Sequence, residues 1–182
     1  EPSWVKGNYP PWLEPELQRS WGDSLLAEVS ALDSSAPTDL RINEAKATRN
    51  TILQSLKKQG FNAIATPYSL NGIRVFERPA ITRTKEYRNG LFELQDEASQ
   101  LVTNLVNAEP NHYIVDFCAG AGGKTLPLAA MLDCRGKIVA CDTNASRLRN
   151  MAPRIKRAKL RNVERHVLVH NDPWLRQLKG DA

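Results

Sequence analysis

Histidine, cysteine and long apolar runs are all scarce in this chain of 182 residues. There are three histidines and three cysteines. Cys118, Cys134 and Cys141 have the spacing of neither a zinc site nor a disulfide framework, so no metal is expected and a reducing cytoplasm is the expected setting. No apolar run approaches the ~20 residues that cross a bilayer, and no basic-then-apolar leader opens the chain. No membrane partner is therefore expected. The first residues, Glu1-Pro-Ser-Trp, lack a Met and read as the interior of a longer gene product. Apolar content itself is ordinary. At 41% hydrophobic and 25% charged, the chain can build a globular core and is not of disordered composition.

Acidic residues are also scarce beyond the first forty positions. Residues 1–40 hold seven acids and two bases, a balance of −5. The whole chain carries +5, so the remainder carries +10. A basic body behind an acidic segment points to a polyanion such as RNA, against the plainer reading of a solvated basic surface. The densest charge runs through Arg147, Arg149, Arg154, Lys156, Arg157, Lys159, Arg161 and Arg165, with Glu164 the one acid among them. Phosphate contact is the sharper expectation for that run.

The most informative segment is Asp116-Phe-Cys-Ala-Gly-Ala-Gly-Gly-Lys-Thr125, a glycine-rich turn leaving an apolar strand and entering a helix. Asp142 follows Gly122 by twenty residues, at the end of the next apolar run. A loop that lets backbone approach a ligand, followed by an acid at the next strand tip, suits an adenosine-type cofactor. Two better-known loops fit poorly. The dinucleotide fingerprint G-x-G-x-x-G finds Thr125 in its third glycine position. The phosphate loop G-x-x-x-x-G-K-[ST] finds Cys118 at its first, leaving a nucleotide hydrolase resting on Gly123-Lys124-Thr125 alone. The remaining reading is the first turn of a methyltransferase, with S-adenosylmethionine lying across it.

The rest of the chain orders itself around that turn. Residues 1–35 form an arm broken by Pro10 and Pro11, then an amphipathic stretch to Leu32, with Trp4, Trp12 and Trp21 expected to pack it onto the next domain. Residues 36–90 read as a small α+β domain. Asp39–Asn43 is a strand, Thr48 caps a helix from Arg49 to Gln59, and Gly60 stops it. Phe61–Pro67 and Ile73–Glu77 flank an Asn71-Gly72 turn. Its bases Arg41, Lys46 and Arg49, with Arg83, Lys85 and Arg88 of the following connector, are the candidate RNA contacts. Residues 91–182 read as the first half of a Rossmann-like domain. A helix runs from Gln95 to Asn107, and strands span 111–117, 137–141 and 163–169. Helices cover 124–132 and 144–159, and Asp172 lies at the third strand's tip. Arg147, one turn beyond Asp142, is a further candidate for the cofactor.

Several segments together resemble the RNA 5-cytosine methyltransferases, which include bacterial 16S ribosomal RNA enzymes and eukaryotic nucleolar relatives. They are Tyr9-Pro-Pro-Trp12-Leu, Asp39-Leu-Arg41-Ile-Asn43, Gly90-Leu-Phe-Glu-Leu-Gln95-Asp-Glu-Ala-Ser-Gln100, the 116–125 loop, and Cys141-Asp142 with Arg147-Leu. The Gln95–Gln100 element marks this group among methyltransferases. The loop departs from the family at Gly120-Ala121, where Ala-Pro is common, and both are small. The resemblance implies that Cys118, Ala119, Gly120, Ala121, Gly122, Gly123 and Lys124 contact S-adenosylmethionine. It implies further that Asp142 takes the ribose hydroxyls, that Asp172 faces the adenine amino group, and that ribosomal RNA is the substrate.

The family's reaction begins with a cysteine thiolate attacking C6 of cytosine, which makes C5 nucleophilic toward the methyl group. Those cysteines lie after the fourth and fifth strands, whereas this chain ends at Ala182, ahead of them. No catalytic residue is thus expected here. Cys118, Cys134 and Cys141 are expected to pack, and the chain alone to be inactive. A half-sheet leaves strand edges open, so chain-to-chain association is an expectation too. The competing reading is a non-catalytic RNA-binding or ribosome-assembly module that keeps a vestigial cofactor fold.

Overall fold

The computed structural model describes residues 1–76 and 80–178. Glu77, the last residue of the expected 73–77 strand, lies outside the described residues, as do residues 179–182. Two compact units emerge, Glu1–Ala36 and Pro37–Ala182. The first holds α1 (Ser3–Lys6), α2 (Glu14–Trp21) and α3 (Leu25–Asp33). The expected single amphipathic stretch is split. Gly22, at φ +50°, takes a conformation that most side chains disfavour and ends α2 there. Trp12 stands 75% exposed rather than packed.

The second unit begins with an antiparallel sheet in the order β2-β3-β1-β4. Its strands are β1 (Thr38–Ile42), β2 (Ala63–Ala65), β3 (Gly72–Val75) and β4 (Phe92–Leu94). Between β1 and β2 runs α4 (Arg49–Lys58), and the short α5 (Lys85–Arg88) precedes β4. Residues 92–94, grouped by sequence with the second half, are therefore the edge strand of this sheet, pairing Leu40 with Leu94 and Ile42 with Phe92. Thr48 caps α4 by accepting the Thr51 N–H, and Ile52 and Leu56 turn inward onto Leu40, Ile42, Ile73, Val75 and Phe92. The Asn71-Gly72 pair does not form a tight hairpin turn. Gly72 opens β3, and a Cβ there would lie 2.0 Å from the Thr66 hydroxyl. Glycine is needed for that close approach, while residues 66–71 make a wider loop closed by Thr66 N–H to Gly72 C=O.

Then α6 (Glu97–Leu105) leads into a parallel sheet, β5 (Tyr113–Asp116), β6 (Lys137–Asp142) and β7 (Val163–Val167), in the order β5-β6-β7. Its crossovers are α7 (Thr125–Met131) and α8 (Ala145–Ala158). Parallel strands need such crossovers, and their apolar faces close over the sheet. Ile138, Val139, Ala140 and Cys141 of β6 are fully buried, with Leu126, Ala129, Leu148 and Met151 packed around the central strand. Ligands bind such sheets at the carboxyl ends of the strands. Asp116, Asp142 and, just past β7, Asp172 all stand at that end.

Candidate cofactor site

The loop between β5 and α7 is shaped by three glycines with different reasons to be glycine. Gly122 has φ +92°, and a Cβ would lie 2.4 Å from Leu126 and 2.7 Å from Met151, so the backbone packs directly on the helix cores. Gly120 has φ +55°, and a Cβ there would meet nothing within 4 Å. Gly123 likewise faces open space. The loop is thus tight on its inner side and bare on its outer side, the shape of a cradle for a ligand brought against backbone.

Asp142 is tied to that loop. One carboxylate oxygen accepts the Gly120 N–H at 2.9 Å, the other the Asn144 N–H at 2.7 Å. Its carboxyl is held below the usual range, chiefly by the Asn144 N–H, against the opposing effect of burial and with help from Gly120 and Arg147. An ionised acid thus sits beside the open face, with lone pairs left for hydroxyl donors. Arg147 is exposed and close enough for its charge to act on Asp142. Asp172 is more occupied. It accepts from His166 Nε2 at 2.9 Å, Val169 N–H at 3.2 Å and Trp174 N–H at 3.0 Å. His166 is the leading cause of its lowered carboxyl pKa.

Cys118, Gly123 and Lys124 are exposed, Gly120 and Ala121 half-buried, and Ala119 buried. Thr125 is fully buried and donates to Asp116 at 2.6 Å. Its hydroxyl is engaged there, which removes the support for a phosphate-loop reading of Gly123-Lys124-Thr125. The expectation that all three cysteines pack holds for Cys141 alone, whose thiol burial pushes up to about 11. Cys118 and Cys134 are exposed because each lies in a connection beyond a regular element. Among the described residues, no cluster of His, Cys, Asp and Glu could hold a metal.

The basic candidates divide. Arg83, Lys85 and Arg88 are exposed along one connector. Lys46 instead donates to the Arg157 carbonyl at 2.6 Å and the Asn89 carbonyl at 3.0 Å, seated on the last turn of α8. Arg49 donates to the Ser69 carbonyl. Arg41 donates to Gln95, and burial pulls its pKa down to about 10. It lines a cleft of about 130 Å³ with Asn43, Glu44 and Asn71. The dense run on α8 is not wholly a phosphate surface either. Arg154 and Arg157 both bind the buried Glu93 carboxylate, and Arg165 donates to the Leu148 carbonyl. Local charge density cannot reveal an acid sixty residues upstream.

Sequence reasoning missed the polar residues that hold the loop from behind. Gln95 Nε2 donates to the Gly123 carbonyl at 2.8 Å, and Arg154 donates to the Ala121 carbonyl at 2.7 Å. The signal was the Gln95–Gln100 element, in which each polar residue has a post. Asp96 caps α6 through Ser99. Glu97 accepts the N–H groups of Tyr68 and Ser69, at 2.6 and 2.7 Å. Gln100 joins the Ser69 hydroxyl to the Gln95 carbonyl.

A family model for the RsmF/B-like ferredoxin-like domain matches residues 9–82, and one for the 16S rRNA methyltransferase RsmB/F matches residues 103–177. The chain belongs to the RsmB/F methyltransferase family. Among relatives is the probable ribosomal RNA small subunit methyltransferase B of Synechocystis sp., 30% identical over 159 residues, covering 86% of this chain and 36% of that protein. Another is the 28S rRNA (cytosine-C(5))-methyltransferase of Mus musculus, 32% identical over 179 residues, covering 84% of this chain and 38% of that protein. The chain thus spans little more than a third of the curated relatives it matches. The crystal structure of a methyltransferase homolog protein from Pyrococcus horikoshii superimposes with a TM-score of 0.79 at 25% identity, over 91% of this chain and 55% of that one. The α/β architecture, a ferredoxin-like domain followed by a methyltransferase fold, is that of the family. Among the described residues no helix is long and apolar enough to cross a membrane.

Proposed function

We propose that this chain is the cofactor-holding and RNA-orienting part of a cytoplasmic enzyme that methylates C5 of cytosine in ribosomal RNA, using S-adenosylmethionine. The observation that carries this reading is the Gly120 N–H to Asp142 contact of 2.9 Å, which sets an ionised acid beside a bare glycine loop. In this reading residues 118–124 lie against the cofactor, Asp142 accepts from its ribose hydroxyls, and Arg147 and Asp172 flank it. The cofactor supplies an electrophilic methyl group, and the chain's own residues bind and orient it. The names of the relatives support ribosomal RNA as substrate. Arg83, Lys85 and Arg88, exposed and closely spaced along the connector, are the RNA contacts. The proposed division is an N-terminal arm at 1–35, a small RNA-facing domain from 36 that takes in β4, and a methyltransferase part to 182.

No cysteine here is the nucleophile. Cys141 is buried with a raised pKa, Cys134 follows α7 at the far end of the sheet, and Cys118 belongs to the cofactor loop. Neither the fold nor the relatives lend support to self-association through open sheet edges. Asp142→Ala is expected to weaken S-adenosylmethionine binding at least tenfold, measured by calorimetry, with ATP as the control ligand. Unchanged affinity in the variant, or tighter binding of ATP by the wild type, overturns the reading.

A further inference from the structure

The cofactor loop is held by residues whose own positions are set in the other sheet. Gln95 leaves β4 with its N–H on the Asp39 carbonyl of β1, and its side chain is held at Oε1 by Arg41 Nε, at 2.8 Å. The opposite end of the same amide donates to the Gly123 carbonyl. An amide gripped at its acceptor has its donor aimed, so the rotamer of Gln95 is fixed by β1. The second support follows the same plan. Glu93 on β4 accepts from Arg154 Nε at 3.0 Å, which directs Arg154 Nη1 to the Ala121 carbonyl. Both supports are scarcely exposed: Gln95 at 8% and the Arg154 side chain at 20%.

These two carbonyls alternate with the features that face outward. Gly120 gives its N–H to Asp142, Ala121 and Gly123 turn their C=O groups to the supports, and Gly120 and Gly123 present bare Cα atoms. A loop with two unsupported carbonyls and three glycines has many conformations of similar energy. Fixing the carbonyls selects one, and the cofactor then binds without bearing that ordering cost.

We propose that Gln95 and Arg154 are positioning residues for the cofactor loop, through which the RNA-facing small sheet sets cofactor affinity. The inference rests on the cofactor reading above. Linkage makes the coupling reciprocal, so cofactor binding in turn steadies β1 and β4.

The test uses Gln95→Glu, which keeps the acceptor for Arg41 and loses the donor to Gly123, and Gln95→Met, which keeps the length and loses both. S-adenosylmethionine affinity and amide hydrogen exchange are read together on the whole chain. Gln95→Met is expected to bind about tenfold more weakly, the size of one lost hydrogen bond. Exchange at residues 120–124 should quicken while that of Leu40 and Ile42 stays unchanged. Gln95→Glu, its carboxylate kept ionised by Arg41, should bind as poorly at pH 7 and stay as poor at pH 5, with wild type as the control at each pH. Affinity unchanged in Gln95→Met overturns the proposal, as does a loss of protection spread evenly over both sheets, which marks a merely structural role. A wild-type chain that binds no S-adenosylmethionine sinks the cofactor reading itself and this inference with it.

Discussion

The glycines of the 118–124 loop are of two kinds, told apart by what a methyl group in place of one hydrogen would meet. At Gly122 the neighbours are the Leu126 and Met151 side chains, so an added methyl displaces packed core at a positive φ. At Gly123 there is space and no positive φ. Gly123→Ala is therefore expected to change unfolding free energy by no more than about 0.5 kcal/mol, as a surface substitution does. It should nevertheless weaken S-adenosylmethionine binding several-fold, because its methyl enters the ligand's place. Gly122→Ala should lower stability by about 1–3 kcal/mol, the usual cost of overpacking. Urea unfolding and calorimetry on the two variants check both. Equal stability losses, or an undisturbed affinity in Gly123→Ala, would contradict this account of the loop. The glycines were legible in the sequence, as was Asp142, since turn chemistry and spacing are local. Which glycine faces open space and which faces core depends on Met151, and that contact is set by tertiary structure.

Among the elements, α8 shows most clearly how far a sequence pattern carries. Its bounds were legible from Asn144, whose side chain caps Ser146 and Arg147, and from the apolar pair Leu148 and Met151. Its function was only half legible, because its charge looked like one surface. The structure divides it. Arg147 and Arg149 are exposed, whereas Arg154 and Arg157 grip Glu93 across the sheets and Arg157 lies 4.2 Å over the Tyr87 ring. Gly90 abuts the Arg157 backbone, where a Cβ would come within 2.5 Å of its carbonyl oxygen. The acid is 6% exposed, so removing it strands two partly buried cations. Glu93→Ala is expected to destabilise the chain by about 3–5 kcal/mol, read as a fall in the urea midpoint. A loss below about 1 kcal/mol would show the pairs to be no better than surface bridges. The sequence pattern places residues 92–94 in a connector, with no strand there, although they form the β4 that carries Glu93. Three residues are too few for periodicity to declare a partner, and pairing with β1 joins positions some fifty residues apart.

For the molecule as a whole, the two sheets serve one loop. The class of fold, the order of elements from α6 onward and the glycine-rich turn were legible because each rests on neighbours in the chain. The interface between sheets was not, since it is made of charged and amide side chains whose partners lie 28 to 111 residues away. Those partners fix where the loop sits, and the loop and Asp142 together are the central claim. The most direct test is to titrate isotope-labelled chain with S-adenosylmethionine and follow each backbone amide by NMR. Saturable shifts concentrated at residues 118–124 and 142–144, with smaller ones at Gln95, are the expected result. Saturable shifts centred elsewhere, or none at millimolar ligand, would contradict the account.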